Sequence, residues 1–255
     1  SYPHTNQVIE LYRKGMEVGA FQVQFHGREH VHINNWLNGL RQKEPLFLDA
    51  YEENMFTQYK GNRSSCRAEC LDAMATYSDD DMKMVRQSIA EGFDLFESIW
   101  GFLPKSVIAP CYTWHLDLES KFAECGIHYI QGGRAQKEPH FNSEKKVIKR
   151  HYTGQRSNNC AVYLIRNVHF EQVENSNKDW VDAAMKEISI AFTWKKPAII
   201  SSHRVNYIGS INPRNRDKNL SLLHELLEKI VKVWPEVEFM STDELGDTIT
   251  KKTIV

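Results

Sequence analysis

Phe21-Gln-Val-Gln-Phe-His-Gly-Arg-Glu-His30 is the stretch from which the fold is read. Phe21, Val23 and Phe25 alternate with Gln22, Gln24 and His26, a period of two that predicts a strand with one apolar and one polar face. Two glutamines and a histidine in line on a buried strand predict that this face looks into a wet cavity. Gly27 allows a sharp exit from the strand, so that His30 can fold back towards His26 and bring two imidazoles together, as a divalent metal requires.

Upstream, Val8, Ile9, Leu11 and Tyr12 recur at helical spacing over Asn6 to Gly15, and the chain is expected to enter mid-fold, by a helix leading into this strand. Downstream, helices are predicted over Asn34 to Leu40 and Pro45 to Tyr59, and a long one capped by Ser78 with Asp81 runs to Trp100. Then follow a strand over Ser106 to Pro110, a helix over Leu116 to Cys125 closed by Gly126, and a strand over Ile127 to Gln131. Residues 132–159 turn polar and basic and read as an excursion, with an extra strand over Lys146 to Tyr152. A long strand over Ala161 to Glu171 would place Asn167, His169 and Glu171 on one face. A helix capped by Asp179, a strand over Pro197 to His203, a helix over Asn219 to Trp234, a strand over Val237 to Met240 and a helix over Thr242 to Thr250 complete the chain.

Strands alternating with helices imply a parallel α/β sheet, and His26, Tyr112, Glu171 and His203 all stand at the carboxyl ends of strands, where a parallel barrel gathers its chemistry. No glycine-rich phosphate turn favours an open, doubly wound sheet. The 255 residues, 41% of them hydrophobic, suffice for one large domain spanning 1–255. With 32 basic and 33 acidic residues there is no global field for nucleic acid, and a neutral or weakly charged substrate is expected. No apolar run reaches the roughly 20 residues that span a bilayer. Five scattered cysteines do not make a disulfide scaffold; Cys66 and Cys70 sit one helical turn apart with no third ligand in view.

Several of these stretches resemble the polysaccharide deacetylases, a NodB-like carbohydrate esterase family built on a distorted seven-stranded (β/α) barrel. Gly15-Met-Glu-Val-Gly19 followed by His26-Gly-Arg-Glu-His30 resembles the family's motif of a glycine turn before two metal-binding histidines. Ala109-Pro-Cys-Tyr112 is similar to an arginine-proline-x-tyrosine turn with alanine in place of arginine. Asp179-Trp180 resembles an aspartate-tryptophan motif, and Ile199-Ile-Ser-Ser-His203 the strand ending in a general-acid histidine. The family's two aspartates on a first strand have no counterpart in this chain, so the barrel is expected to lack that strand here.

The resemblance implies a metal-dependent hydrolase that removes acetyl groups from a polysaccharide or oligosaccharide, and an exported location. His26 and His30 would hold a divalent metal, zinc in the first instance, and His203 would protonate the leaving amine. Glu171 is the carboxylate best placed as ligand or base. Tyr112 could steady an oxyanion through its amide, Trp36, Trp114 and Trp180 could stack on sugar rings, and Arg204 could bind a charged substituent. A glycoside hydrolase and a non-catalytic carbohydrate-binding protein remain the other two classes.

Overall fold

The computed structural model describes residues 5–56, 70–141 and 143–252. The protein is a mixed α/β chain whose strands, among the described residues, form small sheets, and it divides into two compact units. The first comprises residues 1–164 and 241–255, the second residues 165–240.

In the first unit, helix α1 (Thr5–Glu17) ends where Gly19 takes φ 69°, a left-handed value that suits glycine. Residues 21–24 belong to no strand; pairing begins at Phe25, which bridges Val107 in parallel. Strands β1 (Ser106–Ile108) and β2 (Tyr129–Gly132) are parallel, with Ser106 opposite Tyr129, and β5 (Val162–Ile165) lies on the far side of β2. Phe25 is buried under Phe93 and Phe96 of α4 (Asp79–Trp100), with ring centroids 4.3 and 6.4 Å away. The close approach depends on Gly92, where a Cβ would stand 2.9 Å from the Phe25 ring. Ser78 caps α4 by accepting from the Asp81 amide, and Asp79, Asp80 and Asp81 bring negative charge to its positive end.

Helices α2 (Ile33–Arg41) and α3 (Pro45–Glu52) pack through Gly39, whose Cα is covered by Phe47. The expected helix over Pro45 to Tyr59 therefore stops early; its residues 57–59, like Cys66, lie outside the described residues. Helix α5 (Leu118–Glu124) ends at Gly126 as expected, at φ 85°. The polar excursion is an antiparallel hairpin of β3 (Ala135–His140) and β4 (Ser143–Arg150). Its far end is anchored by His151, stacked on Tyr163 at 3.9 Å and bonded to the Gln136 amide oxygen at 2.7 Å. Tyr163 in turn donates to Glu119, as does the Trp114 indole. Helix α8 (Thr242–Lys252) closes the unit through Asp247, which accepts from Tyr129 and pairs with Lys105.

The second unit holds two short parallel strands, β6 (Val168–His169) and β7 (Ile200–Ser201), against α6 (Trp180–Thr193) and α7 (Pro213–Val233). Val168, Phe170, Trp180, Val181, Ala184, Ile188, Leu226 and Ile230 form its core. The long strand expected over Ala161 to Glu171 is broken at Arg166 and Asn167. There the Asn167 side chain takes over the ladder, donating to Pro197 O at 3.0 Å and accepting from Ile199 N at 2.7 Å. In consequence Asn167, His169 and Glu171 do not share a face: His169 is exposed and Glu171 is buried. Residues 237–240 are not a strand; Phe239 and Met240 stay exposed. Helix α7 starts six residues before Asn219 because Asn212 caps it and Pro213 fits its first turn.

Burial lowers the His151 pKa below its usual 6.5, with Lys149 acting in the same sense. The Gln155 and Glu138 side chains oppose this, but Nδ1 reaches no hydrogen-bond partner, so a proton there would bury an unmatched charge. The folded state thus prefers the neutral ring, and this stabilisation is complete above ~6.5 and lost as pH falls towards the lower folded value. Thermal unfolding across pH 4–8 should show the wild type losing stability relative to His151→Phe as the pH drops; parallel curves would contradict the assignment.

Candidate active site

Two constellations carry the expected residues, one in each unit. In the first unit Phe25, pinned between β1 and α4, delivers His26 to the end of β1, where its Nδ1 lies 2.7 Å from Ile108 O. Nδ1 bonded to a carbonyl must carry the proton, which leaves the lone pair of a neutral ring on Nε2. Gly27 takes φ 104° and turns the chain back, so the His30 ring stands 5.0 Å from that of His26 at an interplanar angle of 68°. Between them Arg28 pairs with Glu29 and Glu91, and Ser88 donates to Glu29 at 2.6 Å, which ties this turn to α4. The His30 Nδ1 is buried with no hydrogen-bond partner, the state a cation or water would relieve.

Two imidazoles are present, and among the described residues no group of three or more His, Cys, Asp or Glu is gathered for a metal. His32 is not part of this pair: buried, it caps α2 by accepting from the Asn35 amide. Gln24 bonds to Gln131, which also reaches Ser106. Gln24 and His26 both line a cavity of ≈ 490 Å³ that runs along Val23 to Arg28, walled on its apolar side by Leu95, Phe96, Ile99 and Trp100.

The Ala109–Tyr112 turn follows directly from Ile108, the residue that holds His26. Cys111 and Tyr112 both have positive φ, 55° and 52°, an uncommon conformation for residues with a Cβ, and the Tyr112 ring packs over Gly133. Trp114 does not present a face to sugar: it is 1% exposed, with its indole on Glu119. Trp180 is likewise core, 5% exposed and bonded to Asn175 O, with Lys178 over its ring. Trp36 is half-buried against Phe47.

In the second unit the ends of β6 and β7 bring Glu171 and His203 together. His203 Nδ1 lies 2.7 Å from Glu171 Oε1, and its backbone amide donates to Oε2 at 3.1 Å. Asn206 adds a bond to Oε2 at 2.8 Å and Ser201 a longer one to Oε1 at 3.4 Å. Glu171 is 3% exposed whereas the His203 side chain is 61% exposed. Both Glu171 oxygens, of the carboxylate expected as metal ligand or base, thus accept from protein donors. Glu171 orients the exposed His203 imidazole through Nδ1. Arg204 follows on an exposed turn.

The sequence did not single out Asn206, which is fully buried and whose Oδ1 also accepts from Val173 N at 3.0 Å. Its backbone carbonyl is held by Asn219 at 2.8 Å. The available signal was Asn219 itself, an amide at a buried position in a leucine-rich helix. Compared with known proteins, the chain matches no family model and no curated protein.

With Glu171 accepting from Nδ1–H, the neutral His203 ring should be held in a single tautomer with Nε2 unprotonated, visible in its ¹⁵N shifts. Glu171→Ala should give a mixture of tautomers and cost about 1–3 kcal/mol in urea unfolding, because the Asn206 amide loses its acceptor. A mixture already present in the wild type would contradict the geometry.

Proposed function

We propose that the chain is a metal-dependent hydrolase of the polysaccharide-deacetylase type, which removes acetyl groups from a polysaccharide or oligosaccharide. The observation that carries this reading is the exposed His203 held by the buried, fully bonded Glu171, an arrangement suited to proton transfer at an open surface. The His26–His30 pair with its unsatisfied ring nitrogen supports it. We further infer that the succession of Phe25, β1, β2 and β5 is an arc of a distorted (β/α)7 barrel.

In this proposal His26 and His30 hold the divalent ion, zinc in the first instance. When bound, it would polarise the acetyl carbonyl and lower the pKa of a water. As water adds to the acetyl carbon and releases a proton to solvent, a protonated His203 Nε2 would give its proton to the leaving amine or alcohol while the bond from that atom to the acetyl carbon breaks. The amide of Tyr112, at the turn beside His26, supplies a donor for the oxyanion, and Trp36 and Arg204 contact the glycan.

Two measurements test the proposal. Protein purified without chelators and equilibrated with zinc should retain the metal by mass spectrometry, whereas a His26→Ala, His30→Ala double variant should fall to background; equal contents would sink the metal assignment. Acetylated chito-oligosaccharides and acetylxylan should release acetate without new reducing ends, and His203→Ala should lower kcat by a factor on the order of 10²–10⁴ with KM little changed. New reducing ends would assign a glycosidase, and binding without either product a carbohydrate-binding protein.

A further inference from the structure

The loop after His203 combines features that neither the metal pair nor the proton-transfer pair uses. With the first turns of α7, which follow it, it carries four basic residues from Arg204 to Lys218 against the single acid Asp217, in a chain whose net charge is only −1. Arg204, Arg214, Arg216 and Lys218 are all exposed, and Asp217 is engaged by its neighbour Arg216 at 2.8 Å. Among them stand three exposed aliphatic residues, Val205, Ile208 and Ile211, the last 97% exposed.

Single exposed aliphatics are ordinary on protein surfaces. Here, however, the backbone that presents them is held in place. The Asn215 amide donates to the carbonyls of Val205, Asn206 and Ile208 at 3.1, 3.3 and 2.9 Å, and Asn219 holds both Asn206 O and the Asn215 side chain. Gly209 lets the loop lie against α7, where a Cβ would come 3.1 Å from Arg216 Cβ. Ile211 stands between this braced stretch and Asn212, the N-cap of α7, with its side chain exposed.

We propose that this segment seats the second unit on an anionic lipid surface, with Ile211 entering the acyl boundary and Arg214 and Lys218, one turn apart on α7, facing the headgroups. Aliphatic and basic groups together match such a surface, which is apolar within and negative at its edge. A soluble acidic glycan would use the arginines but give Ile211 nothing to contact, since sugar rings are bound on flat aromatic faces. The inference does not rest on the deacetylase reading.

Vesicle sedimentation tests it, and no acetate release enters the measurement. Wild-type protein should pellet with vesicles of phosphatidylcholine and phosphatidylglycerol but not with phosphatidylcholine alone, and high salt should release it. Ile211→Asp and Arg214→Glu should each weaken binding about tenfold or more while leaving the circular dichroism unchanged. Ile190→Asp, at an exposed site on α6, should bind as the wild type does. Failure to bind the anionic vesicles, or equal binding by Ile211→Asp, overturns the proposal. Tight binding of polygalacturonate that is indifferent to Ile211 would reassign the loop to an acidic carbohydrate.

Discussion

A buried carboxylate needs donors, and the second unit is arranged to supply them to Glu171. They come from the strand β7 at Ser201, the backbone and ring of His203, and the side chain of Asn206. Leaving such a charge unmatched costs several kcal/mol, on the order of the whole net stability of a small domain. The short turn after β7 must therefore fold back on the end of β6. That requirement places the His203 ring at the surface with one nitrogen committed to Glu171 and the other outward.

The same logic of side chains standing in for backbone partners recurs where regular pairing stops. Asn167 extends the β6–β7 pairing at the break after β5, and Asn206, Asn215 and Asn219 satisfy the carbonyls of the turn before α7. Each asparagine offers a donor and an acceptor in one planar group, which matches a peptide unit. In the first unit the constraint is steric. Gly92 brings α4 onto Phe25, and the Arg28 and Glu29 pairs then hold the His26–His30 turn against the same helix.

Elements defined by local chemistry were legible in the sequence. Ser78 and its apolar stripe located α4, Asp179 located the start of α6, and Gly126 the end of α5. The meeting of His26 with His30 was also legible, because Gly27 and a spacing of four residues confine the two rings to one turn. The bridge at Phe25 agrees with the alternation of Phe21 to His26, yet the strand around it is far shorter than the pattern suggests, since pairing depends on a neighbour and not on periodicity.

The sequence by itself determined α4 and α6 with their caps, the end of α5 and the paired histidines, since each is fixed by residues within a few places of one another. Tertiary structure alone decided what those residues face. It buried Trp114 and Trp180, turned Gln24 towards Gln131, and made Glu171 the partner of His203 across 32 positions. Whether a polar side chain binds substrate or satisfies its own fold depends on which donors and acceptors lie opposite, and no local pattern contains that information.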